Sequence, residues 1–149
     1  MTSASVPSET SGDRGFRLMP HTADCIVEAW GPDRAACLAE AVDALVSVFA
    51  QVPDAAATTL LPVALDPAPD PDLLVELLEE VIYTVDVFGK VPTSAHLIEG
   101  EDGGLAGDLE TVDAADVVLI GPLPKGVSWH GLRIGDDGGT WRCHAILDV

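Results

Sequence analysis

Residues 70–89 read DPDLLVELLEEVIYTVDVFG, and this stretch decides the fold. Leu74, Leu77, Leu78, Val81, Ile82 and Val85 recur at steps of three and four. That spacing lines side chains along one face of an α-helix. Asp70 is placed to cap its start, and Pro71 occupies the first helical position, where a missing N–H costs nothing. Gly89 suits a left-handed stop. Glu76, Glu79 and Glu80 resemble paired carboxylates, but at this spacing they read as the helix's wet face.

Such a helix needs a surface on which to bury its stripe, and the flanks supply one. Upstream, Asp33 is a plausible N-cap for a second helix whose stripe is Leu38, Ala41, Val42, Leu45 and Phe49. Pro53 lies in the segment that ends it. Apolar runs at 16–18, 25–30 and 59–65 read as strands. Downstream, further strands are expected at 95–99, 104–109, 116–120, 126–132 and 141–149. The Gly135-Asp136-Asp137-Gly138-Gly139 run predicts a hairpin turn between the last two. The expectation is an α+β protein: a single domain, with a mostly antiparallel or mixed sheet and two helices packed on it. The 149 residues suit one core. Residues 1–15, rich in Ser, Thr and Gly, read as a disordered tail.

Charge limits the partners. Asp and Glu number 25 against 7 Lys and Arg, a net of −18. Phosphate backbones are bound by displacing counterions with Lys and Arg. No direct nucleic-acid binding is therefore expected, and no acidic membrane surface; cations and basic protein surfaces are. No apolar run approaches the ~20 residues of a membrane helix, and the first residues lack the apolar core of a secretory signal. A cytoplasmic protein is expected. Cys25, Cys37 and Cys143 are odd in number and contain no CxxC pair. Reduced thiols are the expectation, rather than a disulfide framework or thiolate metal site. There is no P-loop and no GxGxxG.

Two acids lie at strand ends. Asp24 lies at the mouth of a strand, after the turn His21-Thr22-Ala23; Asp148 lies near the end of an otherwise apolar strand. Taken singly, each reads as a turn or chain-end carboxylate. His21 reads as a turn histidine or a partner of Asp24. His130 is a candidate acid or base, with a hydrogen-bonded structural role the simpler reading, and Ser128 beside it makes no triad. Strand alternation puts Arg142, His144, Ile146 and Asp148 on one face and Ser128, His130 and Leu132 on one face. Lys125 has the other parity, so it joins that site only through a bend or bulge near Gly126.

Four segments, in order, resemble the archease family from residue 16 to the end. The first is Met19-Pro20-His21-Thr22-Ala23-Asp24, followed by a strand and a capped helix. The second is LLVELLEEVIY at 73–83. The third, KGVSWHGL at 125–132, is similar to the family's Lys-Ala-Val-Thr-Tyr-His-Gly-Leu. The fourth is WRCHAILDV at 141–149. The resemblance makes 16–149 an archease-like domain with two helices on a sheet. It implies an accessory protein rather than an enzyme, one that promotes guanylylation and multiple turnover of an RtcB-type RNA ligase in tRNA splicing and RNA repair. It implies a divalent metal held by acidic residues, which fall on Asp24 and Asp148, and a functional lysine at Lys125. If the chain natively stops at Val149, the α-carboxylate of Val149 adds a third oxygen. Carboxylates without thiolates favour Ca²⁺, Mg²⁺ or Mn²⁺. The competing reading is a divalent-metal-dependent phosphodiester hydrolase with His130 as base; a chaperone-like module without metal is the third.

Overall fold

The computed structural model describes residues 13–20, 24–54 and 56–149. Its elements are β1 (Gly15–Pro20), β2 (Asp24–Gly31), α1 (Arg34–Phe49), β3 (Ala50–Gln51), β4 (Thr59–Leu65), α2 (Asp70–Phe88), β5 (Lys90–Glu99), β6 (Leu105–Asp113), a 3₁₀ turn (Ala114–Asp116), β7 (Val118–Leu119), β8 (Gly126–Asp137) and β9 (Thr140–Asp148). The strands pair antiparallel throughout, as three sheets rather than one. A four-stranded sheet runs β1-β2-β9-β8, a three-stranded sheet β4-β6-β5, and β3 pairs β7.

Both helices form where the apolar spacing places them. Leu38, Ala41, Val42, Leu45 and Phe49 of α1 are buried, as are Leu74, Leu77, Leu78 and Val81 of α2. The Asp33 carboxylate accepts the Ala36 N–H at 2.8 Å, the expected cap. Gly89 ends α2 at φ 64°, the left-handed conformation that a side chain would strain. Asp70 behaves differently from its expected role. It is the first residue of α2 and makes no capping bond. Its carboxylate instead takes Arg34 Nη1 at 2.8 Å, while Arg34 Nε donates to Glu99 at 2.9 Å and Nη2 to the Gly103 carbonyl at 2.8 Å. One guanidinium thus ties the start of α1 to the start of α2 and to the β5–β6 turn. These partners raise its pKa further above an ordinary arginine's.

The strands run longer than their apolar runs. β5 begins at Lys90 and β8 continues to Asp137, because ladder bonds to β6 and β9 hold polar residues extended. Residues 116–120 form little strand: a 3₁₀ turn precedes the two-residue β7. Val27, Ala29, Val127, Cys143, Ala145 and Leu147 bury one face of the four-stranded sheet in the core with both helices. No helix among the described residues is long and apolar enough to cross a membrane. Cys37 and Cys143 are buried free thiols, and Cys25 is partly buried. The Cys37 thiol is pushed up by hydrogen bonding to Cys143 and by burial.

Candidate metal and docking site

The outer face of the four-stranded sheet carries the candidate site. In β9, Cys143, Ala145 and Leu147 face the core, so Arg142, His144, Ile146 and Asp148 face away from it. The β2 register places Asp24 directly across from Asp148, followed by Ile26 opposite Ile146, Glu28 opposite His144, and Trp30 opposite Arg142. Side chains of directly opposed residues share a face, with Cβ atoms about 4.5–5.5 Å apart. Residues 124 positions apart in sequence are therefore neighbours at one end of this face. On the other side of Asp148 the register partner is Gly126.

Two like charges opposed in a ladder repel. Among the described residues, neither Asp24 nor Asp148 has a side-chain hydrogen-bond or ion-pair partner. Asp148 is exposed and Asp24 half-buried. No three His, Cys, Asp or Glu side chains of the described residues form a group able to hold a metal. The pair suits a hard cation, and the remaining donors would have to be main-chain oxygens, water or a partner's groups. Val149 follows at the same edge. From outside the sheet Glu79 approaches Gly126: its Oε2 lies 4.0 Å from where a Cβ on Gly126 would stand. His21 lies outside the described residues.

The main chain of Lys125 lies at this corner. It precedes β8, and its N–H donates to the Asp148 carbonyl at 2.7 Å. Its side chain is exposed, and among the described residues it makes no ion pair. A large bulge does occur, but further along. The β8–β9 register jumps between Ser128, opposite Ile146, and Arg133, opposite His144. The alternation of Ser128, His130 and Leu132 on one face therefore fails, since Arg133 takes the place opposite His144. His130 stands exposed on the bulge, with its N–H bonded to Ser128 Oγ at 3.1 Å. His144 donates from Nδ1 to the Gly131 carbonyl at 2.8 Å, a structural role.

The opposite end of the same face is a groove of about 570 Å³ lined by Arg17, Glu28, Arg133, Asp137, Arg142 and His144 among others. Here four charges pair with the opposite sign: Arg17 meets Glu28 at 2.6 Å, and Arg142 meets Asp137 at 3.4 Å.

Two residues near this end of β8 carry no functional signal in the sequence. Glu79 was legible only as wet helix face, because the approach of α2 to β8 is a tertiary contact. Trp129 carried no signal apart from its size; it becomes conspicuous only as an exposed indole on the bulge.

Residues 16–149 match the Archease protein family (MTH1598/TM1083). A protein named probable protein archease from Mycobacterium tuberculosis strain H37Rv is 41% identical over 135 residues, spanning 91% of this chain and 75% of the relative. The sequence from strain CDC 1551 / Oshkosh gives the same figures. The solution structure of Methanobacterium thermoautotrophicum protein 1598 superposes with a TM-score of 0.64 at 22% identity, covering 91% of this chain and 99% of that one. The crystal structure of a Thermotoga maritima protein described as an archease and possible chaperone gives a TM-score of 0.66 at 17% identity, covering 89% and 96%. At these identities the two structures speak for the shared fold. The family match and the 41% relative carry more, and on them this chain belongs to the archease family.

Proposed function

We propose that this protein is a metal-binding accessory factor of an RtcB-type RNA ligase, acting in the cytoplasm in tRNA splicing and RNA repair to promote guanylylation and multiple turnover of the ligase. The observation that carries the reading is the direct pairing of Asp24 with Asp148 on an uncovered sheet face. Two opposed carboxylates with no cation beside them cost stability unless something positive joins them. Ca²⁺, Mg²⁺ or Mn²⁺ fits an all-oxygen donor set, with a main-chain oxygen of Val149 as a third donor. When bound, the ion supplies positive charge to oxygen groups of the ligase or its nucleotide.

The chain's own groups do the rest. Asp24 and Asp148 orient the site, and the ladder beneath holds them at fixed spacing. The Lys125 main-chain bond pins the end of β9, while its ammonium is available to a phosphate or an acidic side chain of the ligase. The net charge of −18 favours a basic protein partner and repels RNA, so the RNA is left to the ligase. His130 is not needed as a catalytic base in this scheme.

The test is a guanylylation assay with the host's ligase. Adding this protein with divalent metal should speed guanylylation and convert one round of joining into many, and Asp24→Ala should not. An unchanged ligase would defeat the reading. Cleavage of a phosphodiester by the purified protein alone with Mg²⁺ or Mn²⁺ would replace it with the hydrolase.

A further inference from the structure

Trp129 occupies a position that folding alone does not explain. The chain has three tryptophans. Trp30 is 2% exposed and Trp141 is partly buried, whereas Trp129 is 60% exposed. Leaving so large an apolar side chain in water forgoes about 2 kcal/mol or more of burial. The β8–β9 bulge holds it there. Residues 129–132 of β8 face only Ala145 of β9, since Ser128 and Arg133 pair with its two neighbours.

The bulge is braced rather than loose. Gly131 adopts φ +73°, and a Cβ there would meet Ile146 Cδ1 at 3.3 Å. His144 bonds its carbonyl, Ser128 Oγ takes the His130 N–H, and Leu132 packs against the core. Bulges of this kind commonly re-aim side chains beside functional sites. β8 is also an edge strand of its sheet. Trp129 lies three residues from Gly126, the register partner of Asp148. At about 3.3 Å per residue that is on the order of 10 Å from the acid pair.

We propose that Trp129 is the anchor residue of a docking surface centred on the β8 bulge, inserting its indole into an apolar notch on a basic protein surface. The partner's charge follows from the acidity of this chain, −18 overall, and from the two carboxylates beside the bulge. Tryptophan is among the residues that dominate binding energy at interfaces. The braced backbone that carries it also loses little freedom on binding. The proposal rests on the accessory reading, which makes the ligase that partner.

The experiment titrates the host's ligase into the full chain with divalent metal, following tryptophan emission and affinity. Wild-type and Trp129→Ala proteins are compared, with Trp129→Phe as the conservative variant. Docking of Trp129 should weaken binding about tenfold or more in Trp129→Ala and recover part of it in Trp129→Phe. The complex should show a blue-shifted emission component that both variants lack. Divalent-ion binding and circular dichroism should stay as in wild type, which a general loss of structure would not allow. Wild-type affinity in Trp129→Ala would overturn the anchor while leaving the accessory reading standing. No binding by wild type would overturn both.

Discussion

The two ends of one sheet face treat charge in opposite ways. At the Trp30–Arg142 end, Arg17 meets Glu28 and Arg142 meets Asp137, so these four charges are paired with the opposite sign. At the other end, Asp24 faces Asp148 across the ladder with no cation in contact among the described residues. The strands are the same and the solvent is the same; only the pairing differs. Satisfied pairs at a surface add little to stability and ask for no ligand. An opposed pair of like charges is a cost, retained where something outside the fold offsets it. Charged residues on a sheet face are thus informative when they are unpaired rather than when they are numerous.

Breaking the unpaired end should have the largest effect. Asp24→Ala or Asp148→Ala is expected to reduce stimulation of ligase guanylylation to the level seen without the protein, with circular dichroism unchanged. Removing divalent metal with a chelator should do the same to wild type. Lys125→Ala should be milder: stimulation falls roughly tenfold, the scale of one charge-assisted contact of ~1.4 kcal/mol, while ion binding measured by calorimetry persists.

A third carboxylate sharpens the contrast. Asp43 on α1 is raised from an ordinary 3.8 to about 6, chiefly by burial, then by Glu40, against the pull of Arg14 and His96. The folded state therefore holds its proton more tightly than the unfolded chain. Stability should fall as pH rises from about 4 to about 6 and stay lowered above that. Asp43→Asn should remove that fall and stabilise the protein at neutral pH by on the order of 2 kcal/mol, the full shift being discounted for the carboxylate's partial contact with water, as read from denaturant melts at pH 4 and 7. Unlike the acid pair, this gain should not depend on metal. The smallest effect belongs to the satisfied end. A double-mutant cycle on Arg17 and Glu28 should return a coupling of about 0.5 kcal/mol and leave stimulation of the ligase intact.

Much of this was legible in the sequence. The spacing of Leu74, Leu77, Leu78 and Val81 specifies a buried helix face whatever the rest of the chain does, and Asp33 and Gly89 mark helix ends by local chemistry. The pairing of Asp24 with Asp148 was not local. Neither residue stands out by itself, and the segment resemblance to archeases brought them together before any register was known. What stayed hidden depended on tertiary partners. Asp70 looks like a cap until Arg34 claims its carboxylate. The alternation of Ser128, His130 and Leu132 holds only for a regular strand, and the WHGL bulge inserts residues that period-two reasoning cannot see. Residues 1–12 and His21, expected as part of a disordered tail and as a neighbour of Asp24, lie outside the described residues.

The most direct test is calorimetric titration of Ca²⁺, Mg²⁺ and Mn²⁺ into the wild-type protein and into the Asp24→Asn and Asp148→Asn variants. One saturable site in wild type, lost in both variants while their melting remains cooperative, is the expected result. Equal binding by all three proteins, or none by wild type, would contradict the claim that this paired carboxylate end exists to hold a cation.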